Sequence, residues 1–110
     1  MNGVLHIFNQ YQQHDEAYII GNKEALTALR DAINQALENE KGLGATDFDE
    51  CVKTVDGEGY QVLVVRNDDD WQAESWQNLQ FPYKIASNPD YFPEESSKLR
   101  PYELWEKNSK

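Results

Sequence analysis

The chain has 110 residues, which suits one domain (1–110) around a single hydrophobic core. Its 39% hydrophobic and 12% aromatic residues argue against disorder throughout, and a single cysteine, Cys51, excludes an intrachain disulfide and a thiolate metal cluster. Twenty acidic against ten basic residues give a net charge of −10, which disfavours direct binding to nucleic acid or to anionic membranes. With no membrane-length apolar run and no basic leader, we expect a cytoplasmic protein.

Two short apolar runs near the N-terminus predict a β-hairpin. Residues 4–8 are VLHIF and residues 17–20 are AYII, with the polar stretch NQYQQHDE between them. Runs rich in β-branched and aromatic residues on either side of a polar loop are typical of paired strands. His6 lies in the first predicted strand and His14 in the loop, and neither has a nucleophile or metal ligand at a motif spacing. We therefore expect no catalytic role for either histidine.

The next segment has the periodicity of a helix. Its apolar residues recur every three or four positions, with alanines beside them: Leu26, Leu29, Ile33 and Leu37, flanked by Ala25, Ala32 and Ala36. This pattern predicts an amphipathic helix from about 22 to 41 that buries the stripe of large residues. Asn22 is a preferred residue for the N-cap, and Gly42 suits the C-terminal end.

The turn Gly21–Asn22 joins a strand to a helix, as phosphate-binding loops do. Nucleotide sites require the spacing G-x-G-x-x-G or G-x-x-x-x-G-K-[ST], and neither occurs here. Glu24 also places a negative charge in the first helical turn, where it complements the helix dipole. We interpret the turn as a structural corner and expect no cofactor.

Two more apolar runs follow a Gly-Leu-Gly linker at 42–44. Residues 48–55 and 60–66 predict a second hairpin around the turn Asp-Gly-Glu-Gly. The strand YQVLVV is apolar on both faces, which indicates a central position in a sheet. The order ββαββ predicts an α+β fold with a four-stranded, mostly antiparallel sheet and one amphipathic helix across one face.

The chain after residue 67 lacks clear periodicity, so we divide the domain into a core of about 3–85 and an irregular tail of about 86–110. Prolines forbid long regular elements here: Pro82, Pro89, Pro93 and Pro101. The segment is nevertheless too rich in aromatic residues for a free linker: Trp71, Trp76, Phe81, Tyr83, Tyr91, Phe92, Tyr102 and Trp105. Either it covers the open face of its own sheet, or part of it forms an exposed aromatic patch for a partner.

Most of the excess negative charge lies between residues 45 and 76, which hold nine acidic and two basic residues. Three consecutive aspartates in this segment lack the spacing of an EF-hand loop, and on extended backbone they point in different directions, so we expect no metal. Acidic charge beside aromatic area is expected where a protein recognises a basic surface. The predicted partner-binding residues are Asp68, Asp69, Asp70, Trp71, Glu74 and Trp76.

Three stretches, YIIGNKEALTALRDAINQAL, DGEGYQVLVV and LQFPY, together resemble small bacterial α+β proteins, including immunity proteins of polymorphic-toxin and contact-dependent-inhibition systems. The resemblance covers roughly residues 17–83 and includes no catalytic motif. It implies a cytoplasmic protein, not an enzyme, that binds one toxin tightly and blocks its active site. The acidic surface fits a basic nuclease toxin.

The sequence leaves three functions open. The first is an acidic protein-binding module, an immunity or inhibitor protein that blocks a basic partner. The second is an acidic nucleic-acid mimic, of the kind that a phage carries, which occupies the groove of a DNA-binding protein. The third is a small enzyme that uses His6 or His14, and the absence of paired motif residues ranks it last. A homo-oligomer is compatible with each.

Overall fold

The computed structural model describes residues 3–47, 52–80, 82 and 98–110. This part of the chain is α+β, as predicted, with one main helix and small antiparallel sheets. The strands are β1 (Leu5–Phe8), β2 (Tyr18–Gly21), β3 (Leu43–Ala45), β4 (Val52–Lys53), β5 (Gly59–Tyr60) and β6 (Leu63–Val65), and the helices are α1 (Lys23–Glu38), α2 (Glu74–Gln77) and α3 (Pro101–Ser109). Within these ranges, no helix combines the length and hydropathy that crossing a membrane requires.

The first predicted hairpin is confirmed. Strands β1 and β2 pair antiparallel, with Leu5 opposite Gly21. Gly21 is closely packed, since a Cβ atom there would lie 2.9 Å from Leu5 Cδ1 and 3.1 Å from the Val4 carbonyl oxygen. Asn22 caps α1, since its Oδ1 accepts hydrogen bonds from the N–H groups of Ala25 (3.0 Å) and Val4 (3.2 Å). The corner at 21–22 thus joins the hairpin to the helix through close packing and a side-chain cap.

Helix α1 buries only Leu29 of the predicted stripe of large residues, together with the alanines beside it. Its buried residues are Ala25, Leu29, Ala32 and Ala36, whereas Leu26, Ile33 and Leu37 are 41%, 41% and 60% exposed. The small residues face inward because the backbone of β3 passes directly against them. A Cβ atom on Gly44 would lie only 1.8 Å from the carbonyl oxygen of Ala32. Large side chains cannot fit at this contact, so they lie on the flank of the helix.

The helix also ends earlier than the sequence predicts. Its last residue is Glu38, and the N–H of Asn39 donates to the carbonyl of Gln35. Gly42 therefore does not cap the helix but lies in the turn that leads into β3, with φ at +68°, where glycine is favoured.

The sequence pattern predicts similar losses of stability for Leu29→Ala and Ile33→Ala, but the structure separates them. We expect Leu29→Ala to lower the free energy of unfolding by about 2–3 kcal/mol, because it empties a buried site. Ile33→Ala should cost about 1 kcal/mol or less, because the side chain already contacts solvent. Denaturant melts of both variants measure the difference, and equal losses would contradict the assigned buried face.

The predicted second hairpin is confirmed only next to its turn. Strand β4 pairs with β5, but the chain then turns away and β6 pairs antiparallel with β3, with Leu43 opposite Val65. The stretch 42–44, predicted as a linker, is thus part of a strand. The segment between β5 and β6 is held by Thr46. The Thr46 Oγ1 accepts from the Val62 N–H (2.9 Å), and the Thr46 carbonyl accepts from Gln61 Nε2 (3.0 Å).

Among the described residues, three two-stranded sheets take the place of the predicted four-stranded sheet, and β3 is the only strand that pairs with β6. A parallel bridge between Val4 and Lys53 links β1 to β4. The core of buried residues lies between α1 and this junction: Leu5, Ala25, Leu29 and Val52. The hydroxyl of Tyr60 donates to the Leu5 carbonyl (2.6 Å), and burial raises the pKa of Tyr60 above its ordinary value of 10.0.

The C-terminal segment is more regular than its prolines predict. Pro101 begins α3, because the first residue of a helix needs no N–H partner. Leu104 is buried, and α3 contacts β3 and β6. The Leu99 N–H donates to the Asn78 carbonyl (2.7 Å), so this segment also packs on the chain before it. The predicted strand residues 48–51, which include Cys51, and the tail aromatics Phe81, Tyr83, Tyr91 and Phe92 lie outside the described residues.

Candidate functional site

The six predicted partner-binding residues lie in one compact loop, residues 67–78, which we call the acidic loop. It follows β6 and contains the short helix α2. Asn67 organises its start, since Oδ1 accepts from the Asp69 N–H (3.0 Å) and Nδ2 donates to Ser75 Oγ (3.1 Å). The Ser75 hydroxyl in turn donates to Asp69 Oδ2 (2.7 Å). These bonds close the loop on itself and fix the direction of its side chains.

Two of the six residues hold the loop together. The carboxylate of Asp69 accepts the Ser75 hydroxyl, and its backbone carbonyl accepts the indole N–H of Trp76 (3.0 Å). Trp76 is 39% exposed, so much of its ring packs within the protein. Asp69 and Trp76 therefore maintain the shape of the acidic loop.

Trp71 is the most exposed tryptophan among the described residues. Its side chain is 68% exposed, while its backbone carbonyl accepts from Gln77 Nε2 (2.8 Å). The neighbouring Asp70 carboxylate accepts from the Gln72 N–H (3.3 Å). The backbone on both sides of the indole is thus fixed while the ring itself lies in solvent, the arrangement of an anchor for a partner.

Four exposed acidic residues lie within three positions of Trp71 in the sequence: Asp68, Asp69, Asp70 and Glu74. Asp68 pairs with Arg66, whose Nε lies 3.0 Å from Asp68 Oδ2. Arg66 also donates from NH1 to the carbonyls of Ala36 (2.9 Å) and Leu37 (2.8 Å), near the end of α1. The arginine therefore ties the acidic loop to the main helix and partly neutralises Asp68.

Sequence reasoning missed an exposed apolar surface on the β1–β2 hairpin. Five large side chains on these two strands are between 49% and 60% exposed: Ile7, Phe8, Tyr18, Ile19 and Ile20. The signal was present, because VLHIF and AYII are apolar at successive positions and so place apolar groups on both faces. Each strand was expected to join a four-stranded sheet, one face of which the helix would cover.

Of the two histidines, His6 is hydrogen-bonded to the backbone and His14 lies in an exposed turn. His6 Nε2 accepts a hydrogen bond from the Val55 N–H (3.0 Å), and its ring lies 5.8 Å from that of Phe8. His14 is exposed in a turn with φ at +72°. In the described ranges, no three histidine, cysteine, aspartate or glutamate side chains come together as metal ligands could.

Asp56, in the turn between β4 and β5, has a perturbed carboxylate. Its Oδ1 accepts hydrogen bonds from the Thr54 hydroxyl and from the Glu58 N–H (3.1 Å). These bonds, the Thr54 hydroxyl first, hold the pKa of Asp56 below its ordinary value of 3.8. Since the folded-state pKa is lowered, the stabilisation is complete above the unfolded-state pKa and is lost as the pH falls through the folded-state pKa.

We expect Thr54→Val to raise the pKa of Asp56 toward 3.8, because the variant removes the main hydrogen-bond donor. NMR titration of the carboxyl carbon measures the change. Thr27→Val is the matched control, since the Thr27 hydroxyl donates to the Lys23 carbonyl on α1 (2.7 Å) and does not contact the turn. A titration curve of Asp56 that is the same in both variants would contradict the assigned cause.

Within the acidic loop, the six predicted residues have different roles. Asp69 and Trp76 fix its shape through hydrogen bonds, although all six residues are exposed at the surface. The resemblance to immunity proteins stays a prediction from the sequence. Comparison with protein-family models, with curated proteins and with solved structures finds no match for this chain.

Proposed function

We propose that this chain is an acidic protein-binding module without enzymatic activity, an immunity or inhibitor protein of the cytoplasm that blocks a basic partner such as a toxin nuclease. The observation that supports it best is the exposed indole of Trp71, held among acidic side chains on a loop with a fixed backbone. An aromatic side chain with acidic residues next to it in an ordered loop suits recognition of a basic surface.

The rigidity of the acidic loop favours tight binding. Association normally costs conformational entropy when loops and side chains become ordered at an interface. In the acidic loop, hydrogen bonds through Asn67, Ser75 and Gln77 already order the backbone before any partner arrives. An anchor on such a loop retains more of its contact energy, as an inhibitor requires.

The charge of the loop selects the class of partner. Asp68, Asp70 and Glu74 lie within three positions of Trp71 in the acidic loop, and the whole chain has a net charge of −10. Such a surface attracts a cationic protein and repels nucleic acid and acidic proteins. Proteins that bind nucleic acid, nucleases included, have cationic surfaces. This complementarity supports inhibition of a basic nuclease.

The nucleic-acid mimic stays as the alternative, since it would bind a basic protein as well. The two differ in the contacts that hold the complex together. A mimic occupies the groove for nucleic acid, so DNA displaces it competitively, whereas an inhibitor anchored by Trp71 also depends on apolar contact. The small enzyme is ranked last, because the His6 Nε2 lone pair is engaged by the Val55 N–H.

The test is affinity capture from cells of the native host with three immobilised baits: the parent, Trp71→Ala and Tyr102→Ala. Tyr102 is the matched control, because it is an exposed aromatic residue on α3 outside the acidic loop. We expect the parent and Tyr102→Ala to retain one basic protein that Trp71→Ala loses. The proposal fails if the parent retains nothing that Trp71→Ala does not, and release of the captured protein by DNA alone would favour the mimic.

A further inference from the structure

Strand β2 has an unpaired edge in the described part of the chain, where its only strand partner is β1. The Asn22 N–H donates to the Val4 carbonyl (3.1 Å), so this pair is hydrogen-bonded. Because hydrogen-bonded and non-bonded pairs alternate in an antiparallel ladder, the N–H and C=O groups of Ile19 and Gly21 point away from β1. The Leu5 carbonyl, which points outward by the same alternation, accepts from Tyr60. The outward groups of β2 have no such partner among the described residues.

The edge of β2 lacks the features that protect natural edge strands. Such strands usually contain a lysine, a proline, a bulge or an inward charge. The sequence of β2 is Tyr-Ile-Ile-Gly, with no charge, and its three large side chains are more than half exposed. An uncharged, apolar edge of this kind pairs readily with another strand.

The exposed flank of α1 continues the apolar surface beside this edge. Leu26, Ile33 and Leu37 are spaced by seven and four residues, so they lie on one side of the helix. Leu26 Cδ2 lies 3.3 Å from the position of a Cβ atom on Gly21, which places the start of this flank next to β2. Strand edge and helix flank therefore form one apolar strip.

We propose that this strip is a dimer interface, in which β2 pairs antiparallel with β2 of a second copy of the chain. A two-fold axis through Ile19 sets the outward groups of Ile19 against those of Ile19 in the second copy, and those of Gly21 against those of Ala17. Both faces of the joined sheet then carry apolar side chains across the seam: Ile19 on the helix side, Tyr18 and Ile20 on the other.

Charge favours a second copy over the basic partner of the acidic loop. The strand itself is uncharged, so it offers a cationic protein nothing to recognise. Acidic residues precede it, Asp15 and Glu16, and Lys23 follows it next to Glu24. An antiparallel pair brings Asp15 of one copy opposite Lys23 of the other, which partly offsets the acidic charge at each end of the seam.

The available area is close to what a specific dimer needs. Six large side chains on the strip, each about half exposed, are Tyr18, Ile19, Ile20, Leu26, Ile33 and Leu37. They offer on the order of 500 Å² per copy, and a stable interface buries about 800 Å² per partner, to which the paired backbone and polar rim contribute the remainder.

Salt distinguishes this interface from the acidic loop. Two copies, each with a net charge of −10, repel one another at long range, and salt screens that repulsion. The dimer should therefore tighten as salt is added, whereas binding of a basic partner at the acidic loop should weaken.

Sedimentation equilibrium across a dilution series tests the proposal on the protein alone. We expect the parent to dimerise, and Ile19→Lys to raise its dissociation constant at least about tenfold, because the lysine puts a charge on the seam. Ile19→Pro should do the same with the hairpin intact, since the N–H group that proline lacks points away from β1. Tyr102→Lys, which adds the same charge at an exposed aromatic residue on α3, should dimerise like the parent.

Thermal melts of the same variants separate loss of the interface from loss of the fold. A parent that stays monomeric throughout the series overturns the proposal, and so does a dimer whose dissociation constant is unchanged in folded Ile19→Lys. Neither result bears on the acidic loop, which contains none of these positions.

Discussion

Replacing Gly44 by alanine should lower the free energy of unfolding by about 4 kcal/mol or more, a large share of the total for a domain of this size. A Cβ atom at this position would lie 1.8 Å from the Ala32 carbonyl oxygen, 2.9 Å from the Ala32 carbonyl carbon and 3.0 Å from the Ala36 backbone nitrogen. All three are backbone atoms, so no side-chain rotation relieves the overlap. The added methyl group must push α1 away from β3 and open the packing between them.

Gly57→Ala is the matched control for this variant. Gly57 has φ at +88° and no atom within 4 Å of the position of a Cβ atom. Alanine there costs only backbone strain, about 1–2 kcal/mol. Urea denaturation followed by circular dichroism measures both losses. If Gly44→Ala destabilises no more than Gly57→Ala, then α1 and β3 are not in the close contact described above.

The same contact explains why the sequence predicts the first half of the fold better than the second. The hairpin of β1 and β2, the helix and its Asn22 cap follow from local patterns, and the structure confirms each. Strand β3 has the sequence Leu-Gly-Ala, which has no strand propensity. It is a strand because it pairs with β6 and packs on α1, and both contacts are distant in sequence.

The buried face of α1 was mispredicted for a related reason. Periodicity identifies apolar stripes, and this helix has two, one of large residues and one mostly of alanines. Hydrophobicity favours burial of the larger residues. The close approach of Gly44 to Ala32 reverses that preference, because only small side chains fit there. The periodicity of the helix sequence gives no information about this contact with Gly44.

The location of the acidic loop was predictable, but the roles of its residues were not. Charge excess and tryptophans between 45 and 76 mark the segment. The structural role of Asp69 depends on Asn67 and Ser75, whose side chains bond to its backbone N–H and its carboxylate. Neither polar residue has a motif that indicates such a role. The sequence therefore predicts an acidic, aromatic surface, but it does not predict which of the tryptophans lies in solvent.

The two tryptophans of the acidic loop should respond differently to truncation. Trp76→Ala should cost roughly 1–3 kcal/mol of folding stability, because it removes a half-buried ring and leaves the Asp69 carbonyl without its indole donor. Trp71→Ala should change stability by no more than about 0.5 kcal/mol, since the ring lies mostly in solvent. Thermal or denaturant melts compare the two, with the parent as reference.

Binding to the isolated basic partner should show the opposite order. We expect Trp71→Ala to weaken binding by roughly 2–4 kcal/mol, about thirtyfold to a thousandfold in Kd, mainly through faster dissociation. The triple variant Asp68→Asn, Asp70→Asn, Glu74→Gln keeps the hydrogen-bond acceptors but removes the charge. It should mainly slow association and flatten the dependence of the association rate on salt.

Tyr102→Ala controls for the loss of any exposed aromatic ring and should leave both rate constants unchanged. Surface kinetics across a salt series then separate anchoring from steering. If Trp71→Ala binds as the parent does while Trp76→Ala loses both stability and affinity, the indole of Trp71 is not the anchor. If the triple variant associates at the parent rate at every salt concentration, the acidic side chains serve solubility and the basic partner must be recognised elsewhere on the protein.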